Sequence, residues 1–467
     1  MDAGQRAALA RMPLAEGVGW LWRYVLDDDA LQQVWDEHRG RCWNGILTFP
    51  LLVELVRDAL LECRSGRESF LKHQEAGTLE TSLQAAYGKL KRTPVAVSEA
   101  LLRHCTQRLR DVFPEWACWQ KPRSLQAFRV LIYDGKAIKR VAKRLKPCRG
   151  APGGLLGGRA LVAIDWETGL ALAMRGDVDG DANDVKHLAA LAPQVCQQFD
   201  TPRLHVCDSG FCDLEQPQHF TRLPGDHFVV RYHPKVKFYP EASPREQRSV
   251  DDLGQTIVES WGWLGSATDH RRRLVRRLEL LRDGAKSVIL ITDLLDAEAY
   301  PATELLWIYR ERWEIERVFQ KVTEVFGLSH LIGCSPEASL FQFALCLMLY
   351  NLIQVVRGYV AQAQDREPME ISTEMLFRDV TRELVAWNIL LPVDETVQHF
   401  ERLPSRTELR THLQTLFAVR WCKSWLASPP QALHRQTPRR PSRTHNSVYR
   451  LVHGKPKPKP RKNLARC

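Results

Sequence analysis

The chain has 467 residues, 44% hydrophobic and 26% charged. That length suits two to four domains with a sizeable core. The balance excludes a largely disordered chain, a collagen-like fibre and a small disulfide scaffold. The formal charge is +11, but eleven of the 66 Lys and Arg residues lie between Pro429 and Cys467, where there is no Asp or Glu. The other 55 basic residues are matched by 55 acidic ones upstream, so the basic surplus belongs to the tail. The twelve cysteines stand without a C-x-x-C pair, which indicates reduced thiols and a cytoplasmic protein. Cys207, Cys212 and His205 form the closest sequence cluster, in a spacing that fits no common zinc pattern. The first residues carry no apolar signal-peptide core.

Residues 1–122 read as a helical region. Apolar positions recur at helical spacing through Ile46–Leu61 and Val95–Val112, with a short basic helix near Ser82–Arg92 between them. The pattern then changes. Phe128–Asp134, Ala160–Asp165 and Leu170–Arg175 read as strands, the last two joined by the turn Trp166-Glu-Thr-Gly169. A helix capped by Asn183 or Asp184 follows, then strands at Arg203–Asp208 and His227–Tyr232. This order predicts an α/β layer over 123–234. The glycine-rich Arg149–Arg159 reads as a mobile connection; it lacks the Gly-Lys-Ser/Thr of a phosphate loop. Asp177–Asp184 resembles a calcium loop only briefly, because Ala182 and Leu188 stand where an EF-hand needs Gly and Glu.

Residues 235–300 read as a β-rich insertion with strand-like runs at Leu274–Leu281 and Ser287–Thr292. Residues 301–400 open with one long helix, Thr303–Phe326, ended by Gly327. Ala338–Val356 is uncharged and long enough to span a bilayer, but Gln342, Asn351 and Gln354 interrupt it. A buried core helix is the expectation. Residues 401–467 end in a Pro-, Arg- and Lys-rich stretch expected to be a disordered arm that binds DNA.

Three carboxylates stand out. Asp134 and Asp208 each close a predicted strand, at the edge where α/β sheets collect ligands. Glu316 shares a helix face with Tyr309 and Arg312, at i, i+3 and i+7, and Trp313 lies beside it. Carboxylates that converge repel one another unless cations neutralise them. Oxygen-only ligands suit Mg²⁺ or Mn²⁺, and a pair of such ions is the phosphodiester-cutting arrangement. Lys136, Lys139, Arg140, Lys143 and Arg144 follow the first carboxylate and are candidates for a DNA backbone.

Tyr309-Arg-Glu-Arg-Trp-Glu-Ile-Glu316 resembles the Y-x2-R-x3-E core of bacterial DDE transposases of the insertion-sequence-four group. Asp134-Gly-Lys136 is similar to that family's first-aspartate motif and Asp208-Ser-Gly-Phe211 to its second, while Gly180–Asp184 resembles a segment between them. The motifs occur in order, 74 and 108 residues apart, leaving room for a β-rich insertion. The resemblance implies a ribonuclease-H-like catalytic core, with Asp134, Asp208 and Glu316 as ligands of two Mg²⁺ ions, for which Mn²⁺ can substitute. It also implies Tyr309 and Arg312 as contacts to DNA near the element's end. The family usually has Lys seven residues after the glutamate, and many members have one four after it; here these positions are Thr323 and Gln320. Lys321 is also taken as a DNA contact, although it stands about 140° round the helix from Glu316.

The expected activity is therefore metal-dependent cleavage and strand transfer of the element's own DNA ends. Its partners are terminal inverted repeats and target DNA, with a homodimer in the synaptic complex and no membrane. The expected location is the bacterial cytoplasm, at the nucleoid when DNA is bound. Two other readings share many of these features. A ribonuclease-H-like nuclease would cut without joining, and an inactive DNA-binding regulator of transposition would bind without cutting.

Overall fold

The computed structural model describes residues 3–427, save 44, 64, 244, 252, 283, 285 and 403, together with 445–455. Seven helices come first: α1 (Ala3–Leu9), α2 (Pro13–Val25), α3 (Asp28–His38), α4 (Phe49–Leu61), α5 (Gly66–Glu75), α6 (Leu83–Arg92) and α7 (Val95–Val112). Side-chain oxygens of Thr48, Ser65 and Ser82 cap α4, α5 and α6 by accepting from backbone N–H groups three residues on.

The sheet opens with β1 (Arg129–Lys139), β2 (Gly154–Asp165) and β3 (Ala171–Asp177), an antiparallel run. Helix α8 (Leu188–Cys196) leads to β4 (Arg203–Cys207), and α9 (Gln216–Phe220) to β5 (His227–Arg231). Both β4 and β1 and β4 and β5 pair in parallel, so β3-β2-β1-β4-β5 form one continuous layer. In β1, Val130 and Ile132 enter one apolar cluster while Leu131 and Tyr133 enter another. That alternation buries both faces, which is why the run reads as continuously apolar.

The segment after β5 extends the same layer. Strands β6 (Phe238–Pro240), β7 (Glu246–Val250), β8 (Thr256–Leu264), β9 (Arg273–Leu280) and β10 (Val288–Thr292) follow, and β10 pairs antiparallel with β5. Next come α10 (Ala302–Glu311), α11 (Trp313–Glu324), α12 (Pro336–Ala363), α13 (Thr373–Leu390), α14 (Val393–His399) and α15 (Arg406–Ala418).

Three expectations need correction. The single helix over 303–326 is two helices that meet at Arg312. The Arg312 N–H bonds to the Tyr309 carbonyl and the Ile315 N–H to the Arg312 carbonyl, a tightening to three-residue closure that turns the axis. Second, most of the glycine-rich stretch is strand, because β2 begins at Gly154. A Cβ on Gly157 would lie 2.4 Å from the Ser339 Oγ, so glycine lets α12 approach the sheet closely. Third, the basic tail is ordered in part. Strand β11 (His445–Ser447) pairs parallel with β2, and α16 (Val448–Val452) follows it. The rest of the expected arm lies outside the described residues.

Helix α12 is buried along its length against β2, β3 and α7. The three amides that interrupt its apolar run all act as tethers. Gln342 receives the Ile332 N–H and donates to the Gly327 and His330 carbonyls. Asn351 receives the Ala171 N–H at 2.8 Å and donates to the Ala171 carbonyl and the Thr106 hydroxyl. Gln354 donates to the Thr373 hydroxyl. Replacing Asn351 by Leu leaves the buried Ala171 N–H unpaired. The expected destabilisation is about 1–3 kcal/mol, read as a lower denaturation midpoint in urea at unchanged slope.

Candidate functional site

The first two carboxylates are brought together by strand register. Tyr133 of β1 lies opposite Cys207 of β4 in the parallel pair, so Asp134 and Asp208 are next in line at the same edge. Asp134 accepts a hydrogen bond from the Gly135 N–H at 2.8 Å. Asp208 caps the short turn Ser209–Phe211 by accepting from the Gly210 N–H at 2.8 Å. Each carboxylate is thereby held with one oxygen engaged by backbone.

Helix α11 brings the third. Ile315, Val318, Phe319 and Val322 are buried along one stripe, which docks the helix on β1 and α12. Glu316 stands beside that stripe with 41% of its side chain exposed. Between the carboxylates sits Arg312, at the junction of the two helices and 5% exposed. Its Nη2 is 3.2 Å from Glu316 Oε1 and its Nη1 3.5 Å from Asp134 Oδ2. Burial disfavours the guanidinium charge, but Tyr309 and then Asp134, Asp208 and Glu316 outweigh it and raise the Arg312 pKa.

Desolvation pushes the Asp134 carboxyl up to about 6; Asp208 and Glu316 add to the rise, while Arg312 and the Gly135 N–H oppose it. All four charged groups thus act on one small volume. Oxygen-only donors of this kind fit a hard divalent cation such as Mg²⁺ or Mn²⁺.

The other candidates divide by position. Tyr309 is buried, its ring 5.7 Å from the Arg312 guanidinium, so it backs the arginine from within. Trp313 is 55% exposed beside the site, with Arg312 5.5 Å from its ring. Lys139 and Arg140 are exposed at the end of β1. Lys136 reaches back to α11, where its Nζ donates to the Phe319 carbonyl at 3.4 Å. Thr323 donates to that same carbonyl, and Gln320 donates to Glu324. Lys321 is not part of this group: its ammonium turns inward to the Thr373 hydroxyl, 3.3 Å away.

Sequence reasoning missed one pair. Asp184 lies over the backbone of β1, where a Cβ on Gly135 would come 1.5 Å from its Oδ2. Arg159 of β2 holds that carboxylate at 3.0 Å. A glycine inside a strand was the available signal, since it marks a close approach. A further buried group, Cys196, His205 and Asp226, has ligand atoms close enough for a metal ion. Arg203 already pairs with Asp226 at 2.9 Å, and burial holds the Cys196 thiol up at about 11, so a cation there would compete with both. Cys207 and Cys212 are buried free thiols.

The raised Asp134 carboxyl gives a signed stability test. Its folded pKa of about 6 lies above the ordinary value of 3.8. Between those values the folded state binds more protons than the unfolded state, so stability falls as pH rises from 4 to 6. The expected loss is about 2–3 kcal/mol. In metal-free buffer, Asp134→Asn should flatten that part of the pH–stability curve, as measured by thermal melting.

Residues 126–352 match the family model described as "Transposase DDE domain". No curated protein matches the chain. Among solved structures, the cryo-EM structure of the piggyBac transposase synaptic complex with hairpin DNA is similar at 12% identity and a TM-score of 0.42, covering 85% of this chain and 84% of that one. The matched segment contains the three carboxylates and Arg312.

Proposed function

We propose that this protein is a cut-and-paste DDE transposase, of the insertion-sequence-four group, acting on the DNA ends of its own element in the bacterial cytoplasm. The observation that supports this reading most is the meeting of Asp134, Asp208 and Glu316 around Arg312, from two parallel strands and one helix. In this reading the three carboxylates hold two Mg²⁺ ions, or Mn²⁺ in their place. When bound, such ions prepare the attacking oxygen and stabilise the leaving one.

The chain's own residues do the positioning. Asp134 is ionised at neutral pH despite its raised pKa of about 6, so it can serve as a ligand. Arg312 Nε has no hydrogen-bond partner among the described residues, and its fork is suited to a phosphate oxygen. Trp313 is exposed where a splayed base would stack. Lys136, Lys139 and Arg140 contact the backbone of the same strand. The chemistry then depends on positioning a 3′-hydroxyl freed in the first step for attack on target DNA. The helical region 1–122 reads the terminal repeat, and two chains bring the two ends together.

The test uses purified protein and the DNA bordering its own gene, with Mg²⁺ or Mn²⁺. Strand breaks mapped at nucleotide resolution should fall at the element boundary. Glu316→Ala should lower the cleavage rate by about a hundredfold or more while DNA binding persists. Joined products distinguish a transposase from a nuclease that only cuts. Binding without breaks in either metal, or breaks unaffected by Glu316→Ala, overturns the proposal.

A further inference from the structure

The loop between α3 and α4 carries two large apolar side chains that the fold leaves in water. Trp43 is 87% exposed and Ile46 73%. Apolar surface displayed together on one short loop marks a contact to something outside the chain. The loop is anchored at both ends. At its start the Arg39 Nη1 donates to the Cys42 carbonyl at 2.7 Å, and the Cys42 thiol donates to the Arg92 carbonyl at the end of α6, 3.1 Å away. At its close the Lys89 ammonium of α6 donates to the Leu47 carbonyl. Between these anchors the chain turns at Gly45, whose φ of 59° suits glycine.

The same anchors hold the loop against α6, and both segments are free of carboxylates. There is no Asp or Glu between Glu37 and Glu54, nor between Glu80 and Glu99. Arg41, Lys91 and Arg92 are exposed, and none of them has an ion-pair partner among the described residues. Arg92 folds back over Gly88, where a Cβ would stand 3.2 Å from its Nη1, so its guanidinium lies along the face of α6. Unpaired cations thus flank an exposed aromatic and an exposed aliphatic side chain.

Resting on the reading of the chain as a transposase, we propose that the α3–α4 loop and α6 form a docking surface for duplex DNA of the element's end. Arg41, Lys91 and Arg92 hold phosphates. Trp43 and Ile46 enter the duplex as a wedge between stacked base pairs. A groove on a protein partner accounts for the apolar pair and leaves the cations unmatched. Base pairs and phosphates account for both.

The test mixes wild-type protein with duplex DNA from the element's end in the absence of divalent metal, so that binding is read apart from cleavage. Trp43→Ala should weaken binding about tenfold with an unchanged dependence on salt. Arg41→Ala and Lys91→Ala should each lower the slope of log affinity against log salt by about one. The substituted side chains are exposed, so melting should stay as in the wild type. 2-Aminopurine placed at each position of the end in turn should brighten at the wedged step with the wild type and stay dark with Trp43→Ala. Wild-type affinity in Trp43→Ala, or brightening that it retains, overturns the proposal. So does a changed oligomeric state in sedimentation at unchanged affinity, which assigns the apolar pair to a second copy. Strand breaks at the boundary with no effect of Trp43→Ala on binding sink the docking surface alone. Binding that requires Trp43 but never leads to breaks keeps the surface and removes the transposase. A wild type that does not bind the end removes both.

Discussion

Three carboxylates whose charges act on one another repel, and the rest of the site is arranged around that cost. Asp134 and Asp208 are fixed by strand register and cannot separate without breaking the β1–β4 pairing. Glu316 arrives on a helix whose apolar stripe is fully docked. The protein therefore keeps a cation in place. Arg312 spans Asp134 and Glu316 with its two terminal nitrogens, and it sits where the helix turns so that the guanidinium can reach both. Arg312 and Glu316 stand about one helical turn apart, and the junction of α10 and α11 falls at the arginine.

The scaffold behind this arrangement depends on α12. A helix with that much apolar surface would be insoluble alone, and the sheet and α7 cover it. Close approach is gained by removing side chains from the sheet at Gly157 and Gly176, where a Cβ would strike Ser339 or Leu340 and Val95. Orientation is set by Asn351, which reads the edge of β3 through Ala171. Apolar contact alone would let such a helix slide; buried amides with defined partners fix one position. Through α12 the core sets where α11 lies, and so where Glu316 lies.

Much of this was legible in the residues. Val130–Tyr133 and Leu204–Cys207 are short apolar runs ending at a carboxylate, and such runs read as buried parallel strands. The polar interruptions at Gln342, Asn351 and Gln354 marked α12 as a core helix. Long-range pairing was not legible. Nothing local in Arg312 announces Asp134, which is far away in sequence. Periodicity through Tyr309–Glu316 stays helical across the break, because a single tightened turn leaves the pattern of apolar residues intact. Lys321 looks like any exposed lysine; only the positions of Arg357 and Thr373 show that it turns inward. Gly154–Gly158 carries the composition of a loop, and its role in the sheet follows from a helix that comes 180 residues later.

The C-terminal segment shows the same limit and has a consequence for charge. Its acidic partner was visible as the run Asp177–Asp184, which lacks the ligands of a calcium loop. Instead Arg450 docks there, its Nε 2.9 Å from Asp179, while β11 pairs with residues 154–156 of β2. Val448 packs with Val141 and Cys148, in the segment that follows the exposed Lys139 and Arg140. Of the two basic residues in the described part of this segment, Arg450 is thus committed to the acidic loop, and Lys455 donates to the Tyr449 hydroxyl at 2.8 Å. The strap does for Arg450 what the carboxylates do for Arg312: it commits charge to one place by tertiary contacts.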